Sequence, residues 1–423
     1  MKRVSRLLAA MASLTLTATL TLGAPPVAAA SPEPDAAQRG FGAAEMPTAP
    51  NTPPAGTEWL NNCLGSSDAQ DPDGRVYNRF RWCQQYTLES KYSVRNVLKG
   101  INKITFEAAA IGFNDSRATR VFFRAKTGSV KYEKWSPLDQ RLEAPNLKLE
   151  VTPECVPGAN QPTTATCGVG RSPAKMEWAQ WSNSTHWSWW DVSSVGGQGL
   201  DQVAFHKWRI HFTGKTPGYD VTARGEGIPN GIRCDSGDYF KHGVKSFPHA
   251  CIYTNAYPVL TYKMSENPQV GQHIRDAQDN PDSTWPKKPK DGLSKRIPGK
   301  WHVSEGLRGA PLHRVPSRYE GGVIADENEE WKKSACGQKG GLNPWAPHYD
   351  ARTGLPPYPS GLQCDEYPFS STDEGASDPK WDFSVRAVDA SDNTSAGSKL
   401  RGFYTDDRIL MFLDDFWVNV VDA

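Results

Sequence analysis

Eight cysteines, at positions 63, 83, 155, 167, 234, 251, 336 and 364, constrain this chain of 423 residues more than any other feature. The number is even and no Cys-x-x-Cys pair occurs, which favours a disulfide framework over a zinc site. Eight cysteines allow about a hundred pairings, so spacing alone cannot choose among them. Joining sequence neighbours closes four local loops with separations of 20, 12, 17 and 28 residues, of the size whose closure contributes roughly 3 kcal/mol each. The expected pairs are therefore Cys63–Cys83, Cys155–Cys167, Cys234–Cys251 and Cys336–Cys364.

Disulfides require an oxidising compartment, and the N-terminus reads accordingly. Lys2, Arg3 and Arg6 precede an apolar run from Leu7 to Leu22 and a V-A-A-A stretch ending at Ala30. This is the pattern of a secretory signal peptide over residues 1–30, with cleavage after Ala30. The run falls short of the ~20 apolar residues that a spanning helix needs, so no membrane span is expected. Residues 31–56, rich in Ala and Pro, read as a flexible leader. Lys plus Arg is 48 against 47 Asp plus Glu, a balance that excludes a polybasic coat binding nucleic acid by charge alone.

With 37 Gly, 33 Pro and 15 Trp, the composition favours short strands and turns over a helical bundle. Residues 57–264 carry strand-like runs, clearest at Phe205–Phe212. There His206, Trp208, Ile210 and Phe212 alternate with Phe205, Lys207, Arg209 and His211. An all-β, sandwich-like domain is expected there. Its cluster Trp178, Trp181, Trp187, Trp189, Trp190 and Trp208 reads as core packing, or alternatively as a platform for sugars or single-stranded bases. Residues 265–309 read as a basic, Pro/Lys-rich linker. Between Trp285 and Arg318, nine cations (Lys287, Lys288, Lys290, Lys295, Arg296, Lys300, Arg308, Arg314 and Arg318) face two acids. That segment is either a solvated tether or an arm that attracts phosphate.

Residues 310–423 differ again. A helix is expected around Val323–Cys336, with Ile324, Trp331 and Ala335 on one face and Glu329 placed to pair with Lys333. A second helix is expected to start near Asp392, a good N-cap type. From Cys364 to the end, thirteen acids outnumber five bases. Carboxylate excess of this kind suits hard cations, which take oxygen ligands. From spacing alone, Asp365-Glu366 reads as an exposed turn and Asp392-Asn393 as a helix cap. His313 is a candidate catalytic imidazole, but with no partner nearby in sequence it reads as structural or peripheral.

The residue strings carry more than the spacing. C-D-E-Y-P-F-S-S-T-D-E-G from Cys364, S-V-R-A-V from Ser384 and D-N-T-S-A-G-S-K-L-R-G-F-Y from Asp392 follow in order. R-I-L and D-F-W-V follow them. Together they resemble the NucA/NucB family of secreted bacterial deoxyribonucleases, over about 110 residues. The resemblance implies a small ββα-metal nuclease domain at 310–423, and an α+β chain overall. It implies Asp365 as general base with Glu366 beside it as a catalytic carboxylate, and Glu374 and Asn393 at metal-binding positions. Lys399 and Arg401 would contact the substrate, with Mg or Mn as the divalent metal. Ser370 departs from the usual Ala, and Thr394-Ser395 from the usual Arg-Gly, which puts one phosphate contact in doubt.

The expected activity is metal-dependent endonucleolytic hydrolysis of extracellular DNA with little sequence preference, by a secreted monomer. Two rivals use the same residues differently. One is a glycosidase with paired carboxylates beside a Trp-rich carbohydrate module. The other is a non-enzymatic protein that contacts cell wall or polysaccharide through the β-rich domain and carries a structural Ca site.

Overall fold

The computed structural model describes residues 53, 58–156, 165–214, 216–225, 227–287, 293–301, 309–337, 349 and 354–422. The chain divides into two units, Met1–Pro32 and Glu33–Ala423. The first lies wholly outside the described residues, as do the expected signal peptide and, apart from Pro53, the expected leader. No described helix is long and apolar enough to cross a membrane.

The N-terminal region is strand-rich, within a mixed α+β whole. An eight-stranded sheet is built around the long antiparallel strands Arg81–Val94 and Val97–Gly112. A five-stranded sheet centres on Ala204–Thr213, paired with Lys148–Val156 and Asn230–Asp235. Inward residues of both sheets share one core, among them Phe106, Phe123, Trp208 and Phe212. This is the two-layer arrangement of a sandwich. Along Ala204–Thr213 the alternation is that expected from sequence: His206, Trp208 and Phe212 are buried while Phe205 and Lys207 are exposed. Trp178, Trp181, Trp190 and Trp208 lie in the core. The half-buried Trp189 is covered by the guanidinium groups of Arg120 and Arg171, at 3.8 and 4.0 Å from its ring centre. Most of the tryptophan cluster is therefore packing. The four disulfides join Cys63 to Cys83, Cys155 to Cys167, Cys234 to Cys251 and Cys336 to Cys364.

The rest of the chain is organised around a three-stranded sheet. Its strands are β1 (Val259–Lys263), β2 (Leu312–His313) and β5 (Asp415–Val421). β5 is central, parallel to β1 and antiparallel to β2. Helix α1 (Pro268–Asp279) follows β1, and α2 (Val323–Ala335) follows β2. An antiparallel pair, β3 (Leu362–Tyr367) and β4 (Ser384–Asp389), leads directly into α3 (Ala390–Asp406).

Three local expectations are revised. The segment 265–309 contains α1, whose Val270, Ile274 and Ala277 share a core with Leu312, Tyr367, Leu400 and Phe416. Cations of the Trp285–Arg318 stretch are also drawn into the fold. Lys295 is buried on Thr284 Oγ1 and the Pro286 carbonyl, Lys300 pairs with Asp279, and Arg314 lies over the rings of Tyr239, Phe240 and Tyr404. Lys288, Lys290 and Arg308 lie outside the described residues.

The cap of α3 is Asp389, which accepts from the Ser391 and Asp392 amides. Asp392 instead caps α1, a helix far away in sequence. Its carboxylate accepts from the Gln269 and Val270 amides and from Asn267 Nδ2, which satisfies orphan donors at the positive end of the helix.

In α2, Asn328 rather than Ile324 takes the buried position. Its amide is fully enclosed, donating to the Ser370 and Thr372 carbonyls and accepting from the Ser377 amide and hydroxyl. Glu329 pairs with Lys332, not Lys333.

Candidate active site

Successive residues of a strand face opposite ways, and β3 uses this to send its two carboxylates to different helices. Asp365 turns towards α1, where its Oδ2 lies 2.7 Å from His273 Nδ1. His273 is fully buried, and its Nε2 lies 2.8 Å from Ser384 Oγ on β4. A carboxylate only accepts, so Nδ1 carries the hydrogen of the first bond. The order serine, histidine, aspartate is that of a nucleophilic triad. Ser384 and His273 are both closed to solvent, so no substrate reaches the hydroxyl, and Asp365 is the member closest to the surface.

Glu366 turns towards α2 and lies 3.2 Å from Lys332 Nζ, which also holds Glu329 at 2.8 Å. Burial raises the Glu366 carboxyl pKa and the neighbouring Asp365 and Glu329 add to it, against the lowering by Lys332. Burial pulls the Lys332 ammonium the other way, but Glu366 and Glu329 outweigh it, so its pKa is raised.

The loop from Tyr367 to Gly375 carries Glu374 back to β2. Asn328 clamps this loop so closely that a Cβ on Gly375 would lie 2.2 Å from its amide nitrogen, so glycine is required there. Buried Glu374 spends both oxygens on His313, accepting from its backbone N at 2.8 Å and facing Nδ1 at 2.6 Å. His313 Nε2 lies 2.8 Å from Asp415 Oδ1. The hydrogen bond to Glu374 leads the causes that raise the His313 pKa to about 9, so the ring is an imidazolium at neutral pH. Its side chain is 29% exposed, against 8% for Glu374.

The remaining expected residues sit on α3. Asn393 donates to Gln363 Oε1 at 3.1 Å. Lys399 pairs with Glu266 at 2.7 Å, and exposed Arg401 bonds Ser398 Oγ. Lys399 is half-buried in its ion pair, whereas Arg401 is exposed. Among the described residues, no group of three or more His, Cys, Asp or Glu side chains is placed to hold a metal ion. The strand–strand–helix order of β3, β4 and α3 is present without such a group.

The partners supplied by tertiary structure are His273, His313, Lys332 and Asn328. His273 stands between Val270, Ile274 and Ala277 on the apolar face of a helix, the one sequence signal that marked it. His313 lacked a local partner because Asp415 meets it only through strand pairing and Glu374 only through the loop that follows β3.

No curated protein and no solved structure matches the chain. One family model does, over a stretch that carries α2, β3, β4 and α3 and with them Asp365, Glu366 and Glu374. Residues 322–411, in the C-terminal region of the chain, match the family model described as deoxyribonuclease NucA/NucB.

Proposed function

We propose that the protein is a secreted endodeoxyribonuclease that hydrolyses phosphodiester bonds of extracellular DNA with little sequence preference. The observation that carries this reading is the family match over residues 322–411. The four disulfides support export to an oxidising compartment.

In this mechanism Asp365 is the base. His273 holds Oδ2, and among the described residues Oδ1 takes no hydrogen bond. Oδ1 is therefore the atom left to accept a proton from the attacking water. Lys332 compensates the charge of Glu366 behind the strand. His313 places a cation on the outer side of Glu374, and half-buried Lys399 and exposed Arg401 provide positive charge for the DNA backbone.

Divalent metal enters the reading in one form only. Glu366, Glu374 and Asn393 are each engaged by protein groups, so they do not make a closed cage. Magnesium is commonly held by one or two carboxylates together with substrate phosphates, and an ion arriving with DNA needs no more. Such an ion supplies charge relief on the phosphate.

The glycosidase alternative is weaker. Asp365 and Glu366 turn towards different helices, which does not present two carboxylates across one glycosidic bond.

The test is plasmid DNA incubated with purified protein and Mg or Mn, with and without EDTA. Nicked and then linear DNA without discrete fragments is the expected product, suppressed by EDTA. Intact plasmid under every condition rejects the reading.

A further inference from the structure

We infer that His273, a residue outside the family-matched stretch, is the positioning residue of the site, fixing the Asp365 carboxylate through Nδ1 while Ser384 fixes the ring through Nε2. This inference rests on the nuclease reading above and deepens it.

The geometry that supports it is specific. Nδ1 lies 2.7 Å from Asp365 Oδ2, and Nε2 lies 2.8 Å from Ser384 Oγ. Both contacts are inside the protein, and His273 and Ser384 have no exposed surface. An imidazole anchored at both nitrogens cannot rotate without breaking a buried hydrogen bond. The helix beneath it is also anchored. Asp276, one turn along α1, pairs with Arg386 at 2.6 Å, and Arg386 is the residue opposite Asp365 in the β3–β4 register. At the start of α1, Asp392 accepts the Gln269 and Val270 amides. Gln278 near its end donates to Tyr367 Oη and to the Val418 carbonyl. One oxygen of Asp365 is thus tied to a helix that is itself tied at both ends and in the middle.

Packing alone does not call for this side chain. The neighbouring inward positions of α1 are Val270, Ile274 and Ala277, and a leucine at 273 would fill similar space while leaving the buried Ser384 hydroxyl without this hydrogen bond. What leucine lacks is a donor to Asp365. A base whose orientation is left free loses reactivity steeply, since a misplacement near 1 Å costs about 10²-fold in rate.

The experiment compares His273→Leu, His273→Asn and His273→Gln in the full chain, with kcat and KM for DNA cleavage measured beside thermal unfolding. Asparagine places its amide nitrogen near the Nδ1 position, and glutamine places its own near Nε2. The expected result for His273→Leu is a kcat lower by about 10²-fold, with KM within about twofold and the fold retained. His273→Asn should recover most of the rate and His273→Gln should not. If His273→Leu does not fold, the contrast between Asn and Gln decides. Equal rates for Asn and Gln, or a folded Leu variant with wild-type kcat, overturn the role. Wild-type protein that cuts no DNA overturns the nuclease reading itself, whereas wild-type cutting with an unaffected Leu variant overturns only the role of His273.

Discussion

Arg79 and Asp414, 335 residues apart, meet inside the protein with Nη2 2.9 Å from Oδ1. Asp414 also accepts from Arg233, which reaches Asp235, and Asp235 in turn holds Arg408 at 2.6 Å. Three guanidinium groups and two carboxylates thus join the β-rich region to the loop that enters β5. Burial pushes the Asp414 carboxyl pKa up, but Arg233 and Arg79 outweigh this and hold it below the ordinary value.

Removing the shared carboxylate leaves buried Arg79 without that partner and Arg233 with only Asp235, which also serves Arg408. Asp414→Ala should therefore cost about 3–5 kcal/mol of stability, read from denaturant unfolding of the full chain. A loss below about 1 kcal/mol would show that water or nearby groups solvate the arginines, and that the network does not hold the two parts together.

A fragment beginning at Lys300 lacks β1, α1 and every β-rich partner of this network. It also exposes the apolar surface that Leu260, Val270 and Ile274 cover, each worth about 1.5–3 kcal/mol when buried. The fragment should not fold to an active form, whereas one starting near Tyr257 regains β1 and α1. Circular dichroism and plasmid cutting test this, and an active Lys300 fragment would sink it.

His313 predicts a pH dependence with a definite sign. Its folded pKa, about 9, lies above the ordinary 6.5, chiefly through the bond to Glu374. The folded state therefore holds the proton more tightly. The resulting stability is complete below about pH 6.5 and is lost as pH rises through about 9. Thermal melts in EDTA across this window should fall for the wild type, and His313→Gln should flatten the change. Parallel curves would mean that other groups cause the decline.

The Cys336–Cys364 bridge closes a 28-residue separation and joins the end of α2 to β3, one residue before Asp365. Replacing both cysteines by serine should cost about 3–4 kcal/mol if loop entropy dominates, and should lower cleavage more than DNA binding. Unchanged cleavage at a temperature where the variant is folded would separate the bridge from the site.

The sequence by itself determined whatever is local or repeated. The alternation along Phe205–Phe212 and the nearest-neighbour disulfides follow from periodicity and short loop closure. The string from Cys364 to Gly375 carries the family. Tertiary structure decided everything that depends on two distant segments meeting. Asp392 looked like the cap of its own helix, yet its carboxylate reaches the amides of α1, because two helix starts converge there. The stretch 265–309 reads as a tether because its charge hides α1, whose inward residues are spaced within a polar sequence. His273 finds Asp365 across 92 residues, and His313 finds Glu374 across 61. A side chain's identity is written locally, but the partner that turns a histidine into an orienting group or a fixed cation is supplied by strand register and helix docking.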